Sequence, residues 1–149
     1  MKIKYQINKA SKIQIYNHLI ECDKWFVPVL SGRVDLEKIS KKIKENAVVF
    51  EAWDEESLIG FVSAYFNDPS LKSGFINNVS VLEAYLRKNI AFTLLGNCIE
   101  YGKQNNFSEI TLEVSEDNEK ALNLYRKLDF QILKTTKHFI ELKYIYKGV

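Results

Sequence analysis

Two prolines, two cysteines and six glycines are all that the 149 residues hold of the types that most constrain a chain. Two cysteines, Cys22 and Cys98, do not suggest a disulfide framework, and a reducing cytoplasm fits. No Cys/His/Asp/Glu cluster has metal-ligand spacing, so no metal is expected. The nearest pair, His18 and Cys22, reads as two unrelated helix residues. There is no run of five like charges and the net charge is only +2, which argues against a nucleic-acid partner. No apolar run is long enough to cross a bilayer, so no membrane partner is expected. The first residues alternate as a strand does and lack the form of a signal peptide. The two prolines, Pro28 and Pro69, both fall in stretches that read as loops or turns.

What is present is ordinary for one globular domain spanning 1–149. Hydrophobic residues make up 46% and charged residues 27%. Lys2 to Ile7 alternates, with Ile3, Tyr5 and Ile7 predicted on one half-buried face. Ser11 is a plausible N-cap for a helix whose apolar stripe is Ile15, His18, Leu19 and Cys22. Residues 23 to 35 break period. Trp25, Phe26, Val27, Val29 and Leu30 either tuck into the core or line a pocket, with Arg33 beside them. Asp35 caps a second helix, with Leu36, Ile39 and Ile43 inward. Three strands follow, joined by polar turns at 54–57 and at Asn67-Asp68-Pro69-Ser70. A helix from Ile90 to about Gln104 comes next, then a strand at 109–114, a helix at 119–128, and strands at 130–133 and 138–146. Hairpins mixed with strand–helix–strand crossovers predict an α/β (α+β) layered sheet, mainly antiparallel at first.

Two stretches carry chemistry. In the first, an apolar run ending at Val81 passes through Leu86-Arg87-Lys88-Asn89 into the helix that opens at Ile90. First-turn N–H groups lack intrahelical partners and the helix dipole favours negative charge there, so a phosphate or pyrophosphate is the simplest guest. A solvated surface connection is the competing reading. The second stretch runs from Leu112 to Phe130, a strand followed by a short helix with Ala121, Leu124, Tyr125 and Leu128 at inward spacing. Taken alone, Tyr125 reads as a core tyrosine.

Together the two stretches resemble the GNAT superfamily of acetyl-CoA-dependent N-acetyltransferases, nearest in look to its ribosomal-protein-alanine and small-molecule branches. The family's Val-x-x-x-Tyr-(Gln/Arg)-x-x-Gly-x-(Gly/Ala) segment falls on Val81, Tyr85, Leu86, Arg87, Lys88, Asn89, Ile90 and Ala91. Its Asn-x-x-Ala-x-x-Leu-Tyr-x-x-Leu-Gly-Phe segment falls on Asn118, Ala121, Leu124, Tyr125, Leu128, Asp129 and Phe130. The chain departs from the pattern at Leu86, Asn89 and Asp129. Asn89 and Asp129 replace glycines, and Asn is the next most tolerant residue of the left-handed region.

The resemblance implies a mixed, mainly antiparallel sheet of about seven strands flanked by about four helices. It also implies transfer of acetyl from acetyl-CoA to a primary amine of a small molecule by direct attack. Val79, Ser80 and Val81 would pair with pantetheine like an added strand, Leu86 to Ala91 and Phe92 would cradle pyrophosphate, and Asn118 would hold CoA or a water. Tyr125 would protonate the CoA sulfur and Glu113 would serve as base through water. The acceptor pocket would use Trp25, Phe26, Arg33, Tyr65 and Asn67. Homodimerisation through the late strands is compatible with the alternation of 139–146. A non-catalytic CoA-binding or regulatory module is the alternative.

Overall fold

The computed structural model describes residues 2–68, 70 and 72–147. The turn expected around Pro69 therefore lies partly outside the described residues. The elements are β1 (Lys4–Ile7), α1 (Lys12–Cys22), α2 (Leu36–Asn46), β2 (Val48–Asp54), β3 (Ser57–Tyr65), β4 (Ser73–Val81), α3 (Ile90–Gln104), β5 (Glu109–Ser115), α4 (Glu119–Lys127), β6 (Gln131–Thr136) and β7 (Phe139–Ile145). Short 3-10 turns cover Asp23–Trp25, Leu30–Gly32 and Glu83–Tyr85. The seven strands form one sheet in the order β1-β2-β3-β4-β5-β7-β6, antiparallel except between β4 and β5.

Local chemistry explains most boundaries. Ser11 accepts from Gln14 N while the Gln14 side chain reaches back to Ser11 N, a reciprocal capping box that starts α1. Asp35 accepts from Glu37 N and Lys38 N and starts α2. The two-residue β2–β3 turn places Glu55 at φ 53°. Asn106, just past α3, sits at φ 63° and marks the stop.

The helices cover the sheet on two faces. On the α3–α4 face, Ile59, Val62, Leu94, Leu95, Ile110, Leu112 and Leu142 form a fully buried core. On the α1–α2 face, Ile15, Leu19, Ile43 and Phe61 make a smaller one.

One expectation is corrected. Tyr5 and Ile7 do not face inward but are 36% and 43% exposed, because β1 is an edge strand with a neighbour on one side only. β7, the last strand in sequence, lies between β5 and β6, and β6 is the edge strand on that side of the sheet. No helix among the described residues is long and apolar enough to cross a membrane.

Candidate active site

The sheet opens in its middle. β4 and β5 pair from Ser73↔Glu109 to Ile76↔Leu112 and then part, although β4 continues to Val81 and β5 to Ser115. Each strand keeps its other neighbour throughout, β4 with β3 as far as Gly60↔Val81 and β5 with β7 as far as Ser115↔Phe139. The backbone groups of β4 beyond Ile76 that face β5 are thus left without a strand partner. The parting begins at a bulge. Ser63 opposes Asn78 and Ala64 opposes Ile76, so Asn77 is the extra residue, and a bulge of this kind bends and twists its strand.

The open strand leads into the α3 loop. Leu86 is extended at φ −65°, Arg87 turns left-handed at φ 67°, and Asn89 is left-handed at φ 57°, ψ 25°. The glycine-like conformation expected at Asn89 is therefore present without glycine, and Leu86 needs no special backbone. No side chain caps α3, which leaves its first-turn N–H groups for a guest. Gly60 lets the helix start close to the strand. A Cβ there would lie 3.3 Å from Ile90 Cγ2 and 3.2 Å from Ser80 O. Tyr85 anchors the loop by donating to Asp54 at 2.6 Å. Val81, Leu86, Arg87, Asn89, Ala91 and Leu124 line a groove of about 180 Å³. Phe92 lines it as well, and Lys88, between Arg87 and Asn89, is exposed. A larger cleft, about 1050 Å³, lies at the far end of α3 among Lys103, Arg126, Tyr144 and Lys147, away from every residue expected to act.

Across the opening, Asn118 caps α4 by accepting from Ala121 N at 3.3 Å. Asp129 ends that helix at φ 69°, the left-handed geometry expected where the family has glycine. Tyr125 is 6% exposed and packs edge-on against Phe130. Burial pushes its phenol above the ordinary value, so it is a proton donor at neutral pH. Its hydroxyl has no hydrogen-bond partner among the described residues, where no sealed side-chain polar atom lacks one, so the oxygen reaches solvent.

On the α1–α2 face, Glu113 is the first β5 residue past the last pair with β4. It is exposed and stands at the mouth of the opening. Asn77 accepts from Ser63 Oγ at 2.5 Å and donates to Tyr65 Oη at 3.4 Å. The five expected acceptor residues do not form one group. Trp25, Phe26 and Arg33 precede α2. Trp25 is 53% exposed, Phe26 packs on the smaller core, and Arg33 donates to Pro28 O. Tyr65 and Asn67 sit at the other end of α2, against Lys42 and Asn46 O. Between Arg33 and Asn46 runs α2 itself, eleven residues and about 16 Å long.

Two buried polar clusters escape a reading of the sequence. Glu51, 1% exposed, accepts from Lys9 N, Ala10 N and Trp53 Nε1 at 2.8–3.1 Å. His18, 3% exposed, joins Leu58 O at 2.9 Å and Ser80 Oγ at 2.8 Å, and Asn78 Nδ2 reaches Ser80 Oγ at 3.0 Å. His18 and Cys22 are not unrelated either, since Cys22 Sγ lies 3.5 Å from the ring. The available signal was a charged or titratable residue inside an otherwise apolar pattern.

The description "Acetyltransferase (GNAT) family" matches residues 13–130. The chain belongs to this family. Curated relatives include the N-alpha-acetyltransferase of Saccharolobus solfataricus, 42% identical over 73 residues, which are 48% of this chain and 44% of that protein. The N-alpha-acetyltransferase of Sulfolobus acidocaldarius is 29% identical over 93% of this chain and 86% of its own. The match to the first of these thus spans less than half of that protein's length. Among solved structures, the PaiA N-acetyltransferase of Thermoplasma acidophilum, in complex with coenzyme A, superposes with a TM-score of 0.80 at 18% identity. That match covers 98% of this chain and all of that one. This GNAT chain therefore shares the fold of proteins with which its sequence agreement is slight.

Proposed function

We propose that this GNAT chain moves the acetyl group of acetyl-CoA to a free α-amine at the start of a polypeptide. The observation that carries the reading is the parting of β4 and β5 beside an uncapped, left-handed entry to α3. An extended amide chain fits the open strand edge, and a pyrophosphate fits the helix start with Arg87 and Lys88 at hand. The PaiA structure with coenzyme A supports the donor, and the names of the curated relatives support the acceptor. Exposed Trp25, Val27 and Val29 offer apolar surface that suits a polypeptide acceptor.

The residues fit the donor. Val79, Ser80 and Val81 would hold its amides by backbone, and the amides from Leu86 to Phe92 its phosphates. Bound there, the thioester supplies an activated acetyl group. Tyr125 Oη gives its proton to the departing sulfur. Glu113 takes a proton from the amine through a water, and Asn118 keeps α4 in register through its cap. A small amine bearing an acidic group is the second reading, favoured by the exposed Arg33 next to the Trp25 loop.

Calorimetry with acetyl-CoA tests the donor. Wild type and Asn89→Gly should bind alike, whereas Asn89→Val, strained at φ 57°, should bind weakly. Mass spectrometry of hexapeptides beginning with Ser, Ala or Met, alongside glucosamine and free amino acids, tests the acceptor. Acetylation of the small amines alone would replace the peptide reading, and absence of acetyl-CoA binding would remove both.

A further inference from the structure

One hydrogen-bond chain on the α1–α2 face fixes the direction of every donor in it. Leu58 O, a carbonyl, only accepts, so His18 Nδ1 carries the proton. The ring is neutral, because burial lowers its pKa to about 4, so Nε2 accepts. Ser80 Oγ must then donate to Nε2, leaving its lone pairs for Asn78. Asn78 therefore turns its Nδ2 towards Ser80, and its Oδ1 points the other way. That oxygen has no partner among the described residues. No sealed side-chain polar atom lacks one there, so Asn78 Oδ1 is not fully sealed although the residue is only 7% exposed.

The position matters as much as the orientation. Asn78 lies two residues past the last β4–β5 pair, directly after the bulge at Asn77, where the sheet is open. It is held by a residue of α1 that is 62 positions from Ser80 in sequence, so α1 and β4 set the oxygen jointly.

We propose that Asn78 Oδ1 accepts a hydrogen from the acceptor amine and turns the nitrogen lone pair towards the donor, with His18 and Ser80 as positioning residues behind it. This rests on the reading of the chain as an N-acetyltransferase. A neutral amide is suited to this task. It receives an N–H from an uncharged amine without stabilising the ammonium form, which a carboxylate would do. No proton is transferred to Asn78.

The test uses the full chain, acetyl-CoA and the hexapeptide Ser-Gly-Ala-Gly-Ala-Gly. Asn78→Ala should lower kcat/KM for the peptide on the order of 10- to 100-fold, with acetyl-CoA Kd unchanged. Ser80→Ala, which frees Asn78 to rotate, should give a smaller loss of the same kind. Wild-type kcat/KM in both variants would overturn the role, as would a parallel loss of acetyl-CoA affinity, which would mark a structural residue. Nitrogen-15 NMR of wild-type His18 should show the Nδ1–H tautomer. The Nε2–H tautomer would reverse the chain and overturn the role without touching the reading of function. Wild type that binds acetyl-CoA but acetylates no amine would instead sink that reading, and this role with it.

Discussion

The two faces of the sheet are stabilised differently. Beneath α3 and α4, β2 to β5 and β7 present Phe50, Ile59, Val62, Ile76, Ile110, Leu112 and Leu142, and among the described residues nothing ionic is sealed with them. Beneath α1 and α2 the apolar cluster is smaller, and it is threaded by His18, Ser40, Glu51, Ser63, Asn78 and Ser80. Apolar packing is non-directional, so it holds a helix against a sheet without choosing among small displacements. Buried hydrogen bonds are directional and costly to leave unmade. The polar face has irregular backbone of its own, at the entry to α1 and at the Asn77 bulge, and there directional bonds settle what packing leaves open.

The sharpest way to break this comparison is to show chemistry without structure on the apolar face. Tyr125→Phe should lower turnover on the order of 10²- to 10⁴-fold in a steady-state assay, with acetyl-CoA affinity and melting temperature nearly unchanged. Turnover equal to wild type would return Tyr125 to the role of a core tyrosine. On the polar face, Glu51→Ala orphans the N–H groups of Lys9 and Ala10 and the Trp53 indole, so urea unfolding should show a loss of roughly 3–5 kcal/mol. A loss under 1 kcal/mol would mean that the polar cluster is decoration.

His18 gives the pH dependence. Its folded value, about 4, lies below the ordinary 6.5, so the unfolded chain binds the proton first as pH falls. Its contribution is complete above pH 6.5, is lost between 6.5 and about 4, and amounts to about 3 kcal/mol over that window. Denaturation series across the window should show this slope for wild type and a weaker one for His18→Gln. The smallest expected effect is Asn118→Ala, which removes the α4 cap and should cost about 1 kcal/mol in the same measurement. A much larger loss of acetyl-CoA affinity than of stability would show that Asn118 also touches the donor.

Much of this was legible beforehand because it is local. Ser11 with Gln14, Asp35, and the apolar spacing of Ile90, Leu94, Leu95 and Cys98 act within a turn or two of the chain, and the helices begin where those residues require. Asn89 and Asp129 could be expected at positive φ because short polar side chains tolerate the left-handed region. Arg87, left-handed as well, carries no such mark. The exposure of Tyr5 and Ile7 was hidden because alternation says which residues share a face, not whether anything covers it.

The sequence by itself determined the order of strands and helices, the strand-to-helix turn that opens at Asn89, and the tyrosine on the inner side of α4. Each depends on preferences that operate over a few residues. Only the tertiary structure decided that β4 and β5 part after Ile76 and Leu112, that β7 lies inside the sheet, and that His18, Ser80 and Asn78 form one chain of bonds. Those features join segments tens of residues apart. No local preference reports such a contact, because the bonds exist only once the two segments have been brought together and closed off from water.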